Sequence, residues 1–315
     1  MAEELGLKTE FIKPDGKTLI ERYVRSIFQT RRCLRSGSSA SVFLMLPPAP
    51  ALLTVMAFKR RNTRVVADLH TGYFLDPKWR WFSKIGLWTL RNEAVVVTNA
   101  ELAKITLNSG VRTFVLHDIL SDRSKIGPTS NEGYVLCPLS YANDEPVNEI
   151  VAAAGLCPQI RFVLTGRVPE NIRRVATPNV RFTGYVTNQV YEDLVLDAQL
   201  ICALTKRDFT MQRAGYEALM AGKPQVTSNF SVLSQFLSTA AAYVDPNDPQ
   251  SIAKGVQSVA KNSEYYSGEA KDVLVRRIAE QRQSIDSLRA ITTTTQNPQA
   301  EVRWRKNLRR NRSPL

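Results

Sequence analysis

Histidine and cysteine are scarce in this chain, with two of the former and four of the latter in 315 residues. Cys33, Cys137, Cys157 and Cys202 are scattered without the paired spacing of a metal site. Cys137 and Cys202 fall in apolar runs, where a buried free thiol is the usual case. That usage argues against a disulfide-stapled domain and fits a reducing compartment. No apolar stretch reaches the length of a membrane span, and no signal-peptide pattern is evident, so a cytoplasmic location is expected. No internal repeat is found.

What is present is ample apolar material, 43% of the residues, enough for real cores in two domains of ordinary size. The net charge of +13 is unevenly placed. Residues 1–118 hold 18 Lys and Arg against 10 Asp and Glu, residues 119–300 hold 18 against 18, and residues 301–315 hold 6 against 1. A basic first domain, a neutral second and a basic tail, with no nucleic-acid-binding motif, exclude a chain that coats nucleic acid. They point to one charged face directed at something anionic, such as the inner surface of a membrane. Trp79 and Trp81 flank Arg80, a pattern that suits lipid headgroups and equally suits core residues on a short helix.

Short apolar runs alternate with helical segments nearly throughout, which predicts an α/β architecture with parallel sheets. Strands are expected at Lys8–Ile12, Ser41–Leu46, Arg64–Asp68, Ala94–Thr98 and Thr113–Leu116, with helices at Lys17–Leu34 and Ala51–Arg60. The segment 119–132, with Gly127, Pro128 and several serines, reads as a linker between a domain at 1–118 and one at 133–290, followed by a polar basic tail at 291–315. In the second domain, strands are expected at Tyr134–Cys137, Ile160–Leu164, Val180–Phe182, Gln199–Leu204 and Pro224–Ser228. Residues 248–290 read as largely helical.

The stretch from Leu204 to Pro224 organises the rest. It leaves an apolar strand, crosses a polar loop, and enters a helix expected to be capped by Thr210 and closed by Gly222. The amides of such a helix start, with Arg207, Arg213 and Lys223 nearby, suit a diphosphate. Arg213 and Glu217 share a helix face, which alone would be an exposed ion pair of a few tenths of a kcal/mol. Gly215, however, sits inside the helix at a cost of about 1 kcal/mol against Ala, which suggests a close approach to the backbone.

Gly215-Tyr-Glu-Ala-Leu-Met-Ala-Gly-Lys-Pro224 resembles the donor-site signature of glycosyltransferases with the GT-B fold, especially the family 4 type. Asn179-Val-Arg-Phe-Thr-Gly-Tyr-Val186 and Val244-Asp-Pro-Asn-Asp-Pro-Gln-Ser-Ile-Ala253 extend the likeness over residues 134–261. The resemblance implies two Rossmann-like domains facing across a cleft, and transfer of a sugar from a nucleotide-sugar donor to an acceptor bound by the first domain. Polysaccharide or glycoconjugate synthesis is the expected setting, with a sugar or lipid-linked acceptor. It implies that Glu217 accepts from the ribose, as a carboxylate can. Arg207, Thr210, Gln212, Arg213 and Lys223 would hold phosphates and sugar, with Gly166 and Arg167 at a strand end beside them. Gly166 also reads as a plain strand-to-loop turn. No cofactor is implied beyond the donor substrate, and no metal, in keeping with the absence of an Asp-x-Asp pair.

There is one departure. The family carries a further Glu eight positions before the ribose Glu, where this chain has Phe209. Asp208 beside it is the candidate substitute, and retention or inversion of the sugar's configuration stays open. In the first domain Asp68-Leu-His-Thr-Gly72 follows a strand, where related transferases line the acceptor side. His70 is the candidate proton-exchanging group there, or a structural strand-end residue; His117 reads as structural. A non-catalytic scaffold on the same fold and a sugar-nucleotide epimerase are the alternatives. The chain reaches its first expected strand, Lys8–Ile12, almost at once. That implies a first domain lacking the strand that family members begin with, and a weak or gapped pairing of 8–12 with 64–68.

Overall fold

The computed structural model describes residues 3–37, 40–124 and 133–293. Of the expected linker, residues 125–132 lie outside this range, as does the expected tail from residue 294. The chain divides into two compact units. One holds the residues up to Thr98, Ala103–Leu116 and those from Gln283 on; the other holds Asn99–Leu102 and His117–Arg282.

The first unit opens with α1 (Leu19–Ser36), where the Thr18 hydroxyl accepts from the Glu21 amide at 3.2 Å and the Glu21 carboxylate accepts from the Lys17 amide at 2.9 Å. Two orphan amides are thus satisfied by two side chains three residues apart. There follow β1 (Ser41–Leu46), α2 (Ala49–Phe58), β2 (Arg64–Leu69), α3 (Thr71–Leu75), α4 (Arg80–Thr89), β3 (Ala94–Val97), α5 (Ala100–Asn108) and β4 (Arg112–Val115). The strands form one parallel sheet in sequence order, β1-β2-β3-β4. All four residues of β3 are buried, the all-apolar composition of a strand covered on both faces. Glu93 anchors the start of β2: one oxygen accepts from the Val65 amide at 2.8 Å and the other pairs with Lys59 at 2.8 Å.

Lys8–Ile12, expected as a strand, is irregular, and the strand beside β2 is Ser41–Leu46. The physical reason is that the segment has little to bury. Lys8 and Glu10 pair in solvent at 2.8 Å, Phe11 is 79% exposed, and Pro14 and Gly16 follow at once. With no strand at 8–12, that segment makes no pairing with 64–68, and β2 is instead flanked by β1 and β3.

The second unit contains β5 (Val135–Cys137), α6 (Val147–Gly155), β6 (Phe162–Thr165), α7 (Glu170–Val175), β7 (Val180–Gly184), α8 (Asn188–Asp197), β8 (Leu200–Ala203), α9 (Arg213–Met220), β9 (Gln225–Ser228), α10 (Ser231–Leu237), β10 (Ala241–Val244) and α11 (Pro249–Lys261). The 31-residue α12 (Ser263–Thr293) follows, and absorbs the first residues of the expected tail. The parallel strands stand in the order β10-β9-β8-β5-β6-β7. Side chains alternate between two cores although every strand residue near the centre is buried. Val135, Cys137, Phe162, Leu164, Leu200 and Cys202 meet Ile150 of α6 and Val256 of α11. Leu136, Val163, Ile201 and Ala203 face Val195 of α8 with Ala214 and Ala218 of α9. Asn179, the first residue of one quoted motif, is structural: its amide reaches the carbonyls of Ala154, Cys157 and Ile160 at 2.8–3.1 Å, closing α6 and its turn.

One close approach gives a stability test. A Cβ on Gly86 of α4 would overlap the hydroxyl of Tyr73, a fully buried residue of α3 whose hydroxyl has no hydrogen-bond partner among the described residues. Gly86→Ala should lower stability by about 1–3 kcal/mol, as overpacking does. Tyr73→Phe, which removes an unpartnered buried hydroxyl, should be neutral or stabilising alone and should recover part of the Gly86→Ala loss. Urea midpoints of the three variants test this, and an unshifted Gly86→Ala midpoint would refute the contact.

Candidate active site: the donor side of the second unit

Between β5 and β8 the order of strands reverses. The chain leaves β5 toward β6 and β7, then returns to the other side of β5 for β8, β9 and β10. Loops leaving β5 and β8 at their carboxyl ends part company there, and open parallel sheets bind ligands in the crevice so formed. Asp144, in the loop after β5, ties the two together. Its carbonyl accepts from the Lys206 amide at 2.6 Å, its carboxylate from Thr205 Oγ1 at 3.4 Å, and Arg207 Nε lies 3.8 Å from the same carboxylate. Thr205 and Ser228 exchange two further hydrogen bonds, at 2.9 and 2.7 Å.

The loop 204–212 is held in an unusual shape. Phe209 has φ +58°, in the left-handed region where a bulky residue is an outlier. The Asp208 carboxylate accepts from the Phe209 amide at 2.6 Å, and Asn99 Nδ2 donates to the Phe209 carbonyl at 3.1 Å. Asp208 is thus turned onto its own loop. Thr210 donates to the Asp208 carbonyl at 3.3 Å and does not cap the helix as expected; that place belongs to Gln212, whose side chain makes no capping bond. The helix starts later because the loop's own turns use the Thr210 hydroxyl. Arg207 and Arg213 are both exposed, with cationic heads open to a ligand.

Glu217 is held from two sides. Arg213 Nε donates to one oxygen at 2.7 Å, and the Tyr191 hydroxyl donates to the other at 2.6 Å. Its side chain is only 16% exposed, against 87% for Arg213. A carboxylate has about four acceptor positions, so two remain for a ligand while the group is held from both sides. Burial first, and the Glu217 hydrogen bond second, push the Tyr191 phenol pKa up, so Tyr191 stays a donor. Glu217, Tyr191, Arg213 and Tyr216 line a cavity of about 320 Å³ with Asp118 and Arg123. Tyr191, Asp118 and Arg123 were not visible as site residues, because α8 meets α9 through tertiary packing that no spacing records.

Gly166 has φ +88°, and a Cβ there would overlap the Leu139 carbonyl, so the backbone after β6 presses on the loop after β5. Its glycine is accounted for by that approach. Arg167 beside it is exposed. Lys223 lies elsewhere. It precedes β9 at the amino end of the sheet, and its ammonium donates to the carbonyls of Leu196 and Ala198 at the end of α8. It does not join Arg207 and Arg213, and desolvation lowers its pKa. In the first unit, His70 occupies the N-cap position of α3 without a capping bond, with Nε2 3.4 Å from the Asp68 carboxylate. Among the described residues no group of three or more His, Cys, Asp or Glu is placed to hold a metal ion.

The two parallel α/β units have the GT-B fold, shown by their likeness to the solved structures below. Residues 145–262 match the family model described as Glycosyl transferases group 1. No curated protein matches the sequence. A glycosyltransferase from Rickettsia africae ESF-5 superposes with a TM-score of 0.68 at 10% identity, covering 92% of this chain and 86% of that one. Sucrose-phosphate synthase from Thermosynechococcus elongatus gives 0.70 at 12% identity, covering 89% and 79%. Anabaena HepE in complex with UDP and glucose gives 0.67 at 14% identity, covering 92% and 88%.

His117 bears on the wall of the cavity. Its ring lies 4.2 Å from Phe236 and 6.3 Å from Tyr216. Burial, and then the nearby Arg277 charge, lower its pKa to about 4. The unfolded chain, with an ordinary value near 6.5, binds this proton first, so stability present above that value is lost as pH falls toward about 4. The loss should be on the order of 2–3 kcal/mol. Urea midpoints measured across that window should fall for the wild type and show a shallower slope for His117→Phe; equal slopes would exclude His117 as the source.

Proposed function

We propose that this protein is a glycosyltransferase moving a hexosyl group from a uridine diphosphate sugar to an acceptor hydroxyl, without a metal ion, in the synthesis of a polysaccharide or glycoconjugate. The observation that carries this reading is Glu217, held between Arg213 and Tyr191 on the wall of a cavity lined mainly by α8 and α9. It lies in the region matched to the glycosyltransferase family. The HepE complexes with UDP and with UDP-glucose support the donor class.

In the reaction, a bond forms between the acceptor oxygen and the anomeric carbon, the bond from that carbon to the diphosphate oxygen breaks, and the acceptor hydroxyl releases its proton. Arg207 and Arg213 supply fixed positive charge for the departing diphosphate, with the start of α9 contributing its dipole. Glu217 accepts from the ribose hydroxyls. His70, whose Nε2 lies 3.4 Å from the Asp68 carboxylate, is the first unit's candidate for the released proton. The excess of basic residues in 1–118 supports attachment at the cytoplasmic side of an anionic membrane.

A second reading, a sugar-nucleotide-binding protein without transfer activity, is favoured by one feature. The carboxylate of Asp208 is engaged by its own loop and Phe209 stands where the family's further Glu would be. The two readings part on one assay, transfer or donor hydrolysis across a panel of sugar nucleotides. Product formation supports the enzyme, and donor binding without turnover supports the second reading.

Glu217→Ala should weaken UDP binding by about 1.5–3 kcal/mol, the range for a hydrogen bond to a charged group, with little change in fold. Calorimetric titration of UDP against both proteins measures it. Equal affinities would remove Glu217 from the donor site.

A further inference from the structure

The first unit carries a surface that the chemistry above leaves unused. Helix α4 buries one face through Phe82, Gly86 and Leu87. Its opposite face holds Trp81, 66% exposed, Ile85, and Trp88, 64% exposed. Residues at i, i+4 and i+7 stand one above another on a helix, so two indoles and an isoleucine form a single apolar stripe in solvent. The Trp81 indole is oriented rather than loose: Nε1 donates to the Lys78 carbonyl at 2.9 Å, and the ring meets Phe82 edge-on with centroids 5.7 Å apart.

The charges carried by α4 and its immediate flanks are of one sign, with exposed Asp76 one residue beyond them. Residues 77–92 include Lys78, Arg80, Lys84 and Arg91 and no Asp or Glu. All four basic residues are exposed. Arg80 and Lys84 fall one residue before Trp81 and one before Ile85, so they edge the stripe. A water-soluble protein partner would need acidic residues opposite every one of these, whereas an anionic bilayer offers both negative headgroups and a shallow apolar layer. Indole rings favour that boundary, and basic stems extend toward headgroups from beside them. No helix among the described residues is long and apolar enough to cross a membrane, so contact through α4 would be at the surface.

We propose that the exposed face of α4, built on Trp81, Ile85 and Trp88 with Lys78, Arg80, Lys84 and Arg91, is the element by which this protein docks on an anionic phospholipid bilayer. The proposal rests on the reading that the protein works at a membrane, and it names the contact.

The test is co-sedimentation of the full chain with phosphatidylcholine vesicles, with and without phosphatidylglycerol, at low and high salt. The wild type should bind the phosphatidylglycerol vesicles at low salt, and weakly or not at all without that lipid or at high salt. Trp81→Ser/Trp88→Ser should lower the partition coefficient on the order of tenfold or more, and Lys78→Gln/Lys84→Gln should lower it and flatten its salt dependence. All four substituted side chains are on the surface, so far-UV circular dichroism should be unaltered, and the UDP affinity of each variant should match the wild type. Wild-type binding that both double variants retain in full would overturn the α4 proposal while leaving membrane attachment standing. Absence of wild-type binding at low salt would overturn both. Concentration-dependent dimerisation in sedimentation velocity, abolished by the tryptophan variant and without vesicle binding, would reassign the face to a second copy of the chain and overturn the proposal.

Discussion

Parallel strands cannot be joined by a tight turn, and the second unit is organised by that constraint. Having laid β6 and β7 on one side of β5, the chain must travel over the sheet on a helix before it can pair β8 on the other side. Val135 with Leu200 and Leu136 with Ile201 are the residues that make this pairing. Loops on either side of the join then leave in different directions, and the polar residues of the candidate site depend on where they go. Asp144 bridges the two loops, Thr205 and Ser228 lock one of them to its neighbour, and α9 begins where that loop ends. The position of Glu217 follows from a backbone pairing about two residues long.

Much of this was legible in the sequence because both signals involved are local. Apolar runs such as Ala94–Val97 and Leu200–Ala203 can only be buried strands, and Gly222 before Lys223-Pro224 closes a helix by backbone geometry alone. Lys8–Ile12 misled because Thr9, Phe11 and Ile12 favour extended backbone without supplying a face to bury. Thr210 misled in a related way. A threonine before a helix can cap it or bond to its own loop, and the choice depends on Asp208 and Phe209.

The candidate site was legible only in part. Arg213 and Glu217 are four apart on one helix, so spacing alone joins them. Tyr191, which donates the second bond to Glu217, is 26 residues away on another helix, and nothing short of the fold brings it there. The surface helix shows the converse. Trp79 and Trp81 attracted notice as neighbours in sequence, but α4 separates them, leaving Trp79 half-buried and aligning Trp81 with Ile85 and Trp88. Helical rotation, not adjacency, decides which side chains share a face.

Lys223 carries a lesson for functional scanning. It stands inside the family's most recognisable segment, yet its ammonium serves as a clasp on the last carbonyls of α8, the helix that presents Tyr191 to Glu217. Neutralising it would release the end of that helix and let the phenol drift from the carboxylate. An alanine scan scored on turnover alone would then register a false positive, crediting to substrate charge what is a mechanical support acting two contacts away.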